Sequence, residues 1–109
     1  MDNLDFVARS GLNKQDYHCK FVYLQTAISL RHSDTIDVKF RVNGTGVVVA
    51  LPHTAWVEYQ RQKGQALTDE RAAQVVATLL REALERGDNV DLLELNPTPQ
   101  QVVELALTK

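Results

Sequence analysis

Between Thr35 and Leu51 the chain reads TIDVKFRVNGTGVVVAL, and few structures accommodate that stretch. Ile36, Val38, Phe40 and Val42 alternate with Asp37, Lys39 and Arg41, the period of two that belongs to a strand with one buried and one solvated face. Asn43-Gly44 follows. Both residues tolerate positive φ, as a two-residue type I′ hairpin turn requires. A turn of that length sets the register: Val42 faces Thr45, Phe40 faces Val47, Val38 faces Val49 and Ile36 faces Leu51. Those pairs share one face, and Arg41 with Gly46, Lys39 with Val48 and Asp37 with Ala50 share the other.

The preceding stretch, Phe21 to Arg31, has two readings. Tyr17, Phe21, Leu24 and Ile28 fit a helix stripe that Asn13 would cap. As a strand after a three-residue turn at His32-Ser33-Asp34, Leu30 would pair with Ile36, Ile28 with Val38, Thr26 with Phe40 and Leu24 with Val42. The strand reading is preferred, because the hairpin's apolar face then continues across a third strand. Its reverse face would carry Ser29, Ala27 and Gln25 beside Asp37, Lys39 and Arg41.

The rest of the chain supplies helices. Asp2 to Ser10 reads as a short helix ended by Gly11, with Leu4, Phe6 and Val7 as its apolar residues. Pro52 has no N–H to give and ends the ladder. A short helix at about 53–62 would be capped by Thr54, with Ala55, Trp56 and Tyr59 on one face and Gly64 as its stop. The strongest helix, about 68–86, has Thr68 as N-cap, Asp69 and Glu70 in its first turn, and Leu67 to staple its entry. Its stripe is Ala72, Val76, Leu79 and Ala83, widened by Val75, Leu80 and Leu84. Val90 to Leu95 reads as a strand or an extended connection. Thr98-Pro99-Gln100-Gln101 opens a last helix, about 98–107, with a cap, proline at the first position and glutamine at the third.

At 109 residues the chain is long enough for a single core and too short for two, so 1–109 is expected to be one domain. The expected fold class is α+β: a three-stranded antiparallel meander (about 20–31, 35–42 and 46–51) with the helices packed mainly on one face. A net charge of −2 argues against general binding to phosphate backbones. The lone Cys19 excludes an intramolecular disulfide and fits a reducing compartment. No basic region followed by an apolar run opens the sequence, and no apolar stretch approaches the roughly 20 residues that span a bilayer. The expected setting is the cytoplasm, without membrane contact.

Chemistry-bearing patterns are sparse. His18, His32 and His53 are scattered, with no HxxxH, HxH or CxxC spacing. His18 and Cys19, if extended, point to opposite faces. No Gly-rich phosphate loop and no GxSxG nucleophile turn occurs, and Gly44-Thr45-Gly46 is accounted for by the hairpin. No cofactor or metal is expected. An enzyme using Cys19 or a histidine ranks last among the functional readings. Lys39 and Arg41 share a polar ribbon that Gln25 would flank, and Trp56 with Tyr59 forms an aromatic pair one helical turn apart. These are the candidate binding residues. With Val48, Ala50 and Ala27 on the outer side of the sheet, they favour a non-catalytic protein-binding or homodimeric assembly module.

Gly46 to Gly87 also resembles ribbon-helix-helix DNA-binding proteins: a strand, Leu51-Pro52, a short helix, Gly64, then a capped helix ending LLREALERG. That resemblance implies a strand paired with its copy in a second subunit, reading bases through alternate side chains. Here those positions are Gly46, Val48 and Ala50, which hold nothing to hydrogen-bond a base. A nucleic-acid-binding regulator is therefore the alternative reading.

Overall fold

The computed structural model describes residues 4–27, 35–89, 95 and 97–108. Four antiparallel strands, β1 (Asp5–Arg9), β2 (Asp16–Ala27), β3 (Thr35–Val42) and β4 (Thr45–Pro52), form one sheet in the order β1-β2-β3-β4. Three helices follow: α1 (Thr54–Lys63), α2 (Asp69–Arg86) and α3 (Pro99–Thr108). The fold is an α+β meander, with one strand more than the alternation between 35 and 51 and its extension implied.

The hairpin of β3 and β4 has the register its turn dictates, from Val42↔Thr45 to Thr35↔Pro52. Asn43 (φ 49°) and Gly44 (φ 89°) both lie in the left-handed region, as a type I′ turn demands. Asn43 does more than turn the chain. Its backbone N–H donates to the His18 carbonyl (3.0 Å), its Oδ1 accepts from the His18 N–H (2.8 Å), and its Nδ2 donates to the Asp16 carbonyl (3.3 Å). The hairpin tip is thereby stitched to the start of β2.

Two expectations need correction. The described part of the helix expected over 2–10 is not helical; Asp5–Arg9 is an edge strand, with Leu4, Phe6 and Ala8 buried and Asp5, Val7 and Arg9 exposed. That alternation is present in the sequence, but five residues are too few to form a strand without a neighbour. The register of β2 is also different. Leu24 pairs with Val38 and Thr26 with Ile36, rather than with Val42 and Phe40. Val22 is an extra residue at a bulge between the Phe21↔Phe40 and Tyr23↔Lys39 pairs. Leu24 still faces inward, because a slide of four residues preserves the face. The ring contacts of Phe21 and Phe6 with Phe40, at centroid distances of 5.8 and 6.1 Å, favour the observed register. The helix alternative for 17–31 is excluded as far as Ala27. The expected turn at 32–34 and the Leu30 and Ile28 pairs lie outside the described residues, as does most of the 90–95 segment.

All three helices pack on the inner face, α2 over β1 and β2, and α1 and α3 against β4. Thr68 caps α2 through its Oγ1, which accepts from the Arg71 N–H (3.1 Å). Thr98 and Gln101 complete a reciprocal capping box at α3: Oγ1 accepts from the Gln101 N–H (3.2 Å), and Oε1 from the Thr98 N–H (2.8 Å). At α1 the cap position is His53 rather than Thr54, and its side chain makes no capping bond. Arg71 donates Nε and Nη2 to the Ala106 carbonyl (3.0 and 2.7 Å), placing a cation on the C-terminal turn of α3 and tying α3 to α2. Gly11 donates its N–H to the Leu84 carbonyl (2.9 Å), and a Cβ there would lie 2.3 Å from the Glu85 carbonyl oxygen. Only glycine lets the β1–β2 loop seat against the end of α2.

The two roles of Asn43 are separable. Asn43→Gly keeps the turn and loses the side-chain bonds to β2, so unfolding free energy should fall by about 1 kcal/mol. Asn43→Ala also meets the steric penalty at positive φ and should cost roughly 1 kcal/mol more. Urea titration of the three proteins reads this order; equal stability of Asn43→Gly and the parent would remove the stitching role.

Candidate interaction surface

With every helix on one side, the outer face of the sheet is left uncovered by any described element. The registers lay its side chains out in rows. One row runs Asp5, Lys20, Arg41, Gly46; another runs Tyr23, Lys39, Val48; a third runs Gln25, Asp37, Ala50. Val7, Val22 and Val48 stand on this side with 59%, 41% and 48% of their surface exposed. Branched apolar side chains so placed gain nothing from the core.

The charges among them are ordered. Lys39 holds its Nζ 5.8 Å from the centre of the Tyr23 ring, and its stem lies over Gly46, where a Cβ would come within 2.8 Å of Cε. Asp5 pairs with His18 on the same face. Lys20 and Arg41 are directly opposite one another across β2 and β3. Like charges in that relation cost stability.

Of the residues singled out from sequence, Lys39 and Arg41 lie on this surface. Trp56 and Tyr59 do not: Tyr59 is buried and Trp56 half-buried, and both pack with the core to anchor α1. Lys20, Val22 and Val7 are not legible as members, because residues 2–10 read as a helix and the bulge at Val22, which reverses the faces of the residues before it, is invisible to a period of two. The alternation Leu4, Phe6, Ala8 was the signal that would have placed Val7.

Among the described residues the remaining chemical candidates are dispersed. Cys19 is fully buried beneath Phe6 and Val42, its strand neighbours, and donates its thiol to the Tyr17 carbonyl (3.6 Å). Burial pushes its pKa up to about 11, outweighing the nearby Arg81 guanidinium, which favours the thiolate. A groove of about 520 Å³ lies between Phe6 and α2. Both of its arginines are occupied: Arg71 by Ala106 and Gln74, and Arg81 by the Phe6 ring at 4.8 Å. His18 is exposed on β2 and His53 is exposed before α1, while His32 lies outside the described residues. Among the described residues no group of three or more His, Cys, Asp or Glu side chains could hold a metal ion. No described helix is long and apolar enough to cross a membrane. No protein-family model, curated protein or solved structure matches the chain.

Cys19 gives a direct check on this core. Its folded pKa is raised, so its neutral form contributes stability that is complete below about pH 9 and lost as pH rises toward 11. A thiol reagent at pH 8 should leave the native protein unmodified and react within minutes in denaturant. Fast native reaction would place Cys19 at the surface.

Proposed function

We propose that this chain is a non-catalytic binding or assembly module, working in the cytoplasm, whose contact surface is the outer face of the sheet. The observation that supports the reading is the exposure of Val7, Val22 and Val48 on a face that no described helix covers. Apolar side chains interspersed with Lys20, Lys39 and Arg41 suit a protein partner: the valines provide area to bury, and the cations orient the encounter. Catalysis by a thiol has little support in a Cys19 that is both buried and held protonated.

Sedimentation and affinity capture test this. The parent should self-associate or retain a defined protein, and Val7→Lys combined with Val22→Lys should weaken that association at least about tenfold, with an unchanged circular dichroism spectrum. A strictly monomeric protein that captures nothing above background would overturn the reading.

One feature favours a second reading, contact with phosphates. The Lys20–Arg41 juxtaposition is costly on its own, and an anion between the two would relieve it. On this reading, retention on DNA or RNA columns falls with salt, and Lys20→Ala with Arg41→Ala flattens the slope by about 2. Retention that is absent, or indifferent to salt, removes it. The ribbon-helix-helix resemblance adds little here, since β4 hydrogen-bonds to β3 of its own chain and presents only Gly46, Val48 and Ala50 outward.

A further inference from the structure

The sheet has two edges, and they are built differently. β1 is five residues long and carries Asp5 and Arg9, the charged and short kind of edge that resists pairing. β4 is eight residues long, TGVVVALP, with no charged side chain. Because a two-residue turn joins β3 to β4, Val42 and Thr45 exchange backbone bonds, and so does every second pair beyond them. The intervening residues, Gly46, Val48 and Ala50, therefore direct their N–H and C=O groups away from β3. Among the described residues nothing pairs with that edge.

We propose that β4 pairs antiparallel with β4 of a second copy across a two-fold axis, Val48 against Val48, extending the two sheets into one. The proposal rests on the assembly reading above and names its partner and its contact. Self-pairing is argued from the strand's own composition. With Val48 at the axis, Gly46 meets Ala50 of the second copy, and every N–H and C=O from Gly46 to Ala50 that points off the edge finds a partner. A slide by two residues one way places Pro52, which has no N–H, opposite Gly46 and leaves the Gly46 carbonyl without a donor. The other way brings in Gly44 of the turn, at φ 89°. Only one register satisfies the edge.

Side chains agree with it. The residues in contact are valine, glycine and alanine, so nothing bulky intrudes and no like charges face one another directly. Arg41 flanks Gly46 and Asp37 flanks Ala50. The pairing therefore sets Arg41 of one copy and Asp37 of the other in two of the joined rows, across three strand spacings with only the smallest side chains between them, so two attractions stand against the one Lys39 repulsion at the same spacing. Lys39 stands beyond Val48 on each side, about 14 Å from its copy at three strand spacings, where salt screens the repulsion. An unrelated extended peptide would draw on the same backbone groups but not on this register or charge match.

Light scattering across a concentration series and amide exchange by NMR test the pairing together. The parent should reach twice its 12.3 kDa mass. The Gly46, Val48 and Ala50 amides should exchange at least about tenfold more slowly in the dimer than on dilution. Val48→Pro removes the N–H on the axis without touching the β3 ladder, and association should weaken by about 30-fold, two hydrogen bonds being lost. Val48→Lys, on an exposed position, should also give monomer and serves if the proline variant misfolds. A parent that stays monomeric at millimolar concentration overturns the pairing; if it still captures a protein through the outer face, the assembly reading stands. A dimer broken by Val22→Lys but not by Val48→Pro also overturns the edge and keeps the face. Protection of the three amides only on adding a foreign peptide overturns the second copy as occupant. A monomer that captures nothing sinks both.

Discussion

Phe40, fully buried at the middle of β3, is the contact on which the arrangement of the sheet depends. Phe6 from β1 and Phe21 from β2 both set their rings edge-on to it, and Val47 of β4 lies opposite. Burying such a ring is worth about 2–3 kcal/mol, and each edge-to-face pair adds about 0.5–1.5 kcal/mol. These contacts bring side chains from all four strands together on the inner face. They also explain the bulge at Val22. The strand needs Phe21 inward against Phe40 and Leu24 inward against Val38, an odd spacing that an unbroken period of two cannot provide.

Covering only one face of the sheet has consequences for everything outside the core. The inner face is closed by helices whose ends are tied with unusual care: a capping box at Thr98, a side-chain cap at Thr68, and the Arg71 guanidinium on the last turn of α3. Arginines that would make an anion-binding groove elsewhere are used to hold α3 and to cover the Phe6 ring. No described element closes the outer face in this way. Its valines, its opposed Lys20 and Arg41 and the uncharged β4 edge lie outside the core that the helices close.

That division separates the residues that build the core from those that face away from it. The buried thiol of Cys19, the half-buried Trp56 and the buried Tyr59 belong to the folding side. Each is the residue type that a search for chemistry inspects first, and each is explained by packing. The outward residues are ordinary individually and acquire meaning only from their neighbours across strands. Lys20 is one lysine among several in the sequence until the register sets it against Arg41.

The sequence by itself determined whatever is local. Asn43-Gly44 with flanking alternation specified the β3–β4 register residue by residue, and Gly64, Thr68, Thr98 and Gln101 marked helix ends that the structure uses. In those cases the residues that carry the instruction are within a few positions of the bond they make. Tertiary structure decided the rest. Asp5–Arg9 became a strand because β2 was there to receive it, and Asn43 gained its second role because β2 passes beside the turn. Periodicity specifies which face a side chain takes but not where a strand stops sliding, since a shift of four residues leaves every face unchanged. Ring packing around Phe40 supplied the missing information, and with it the membership of the outer surface.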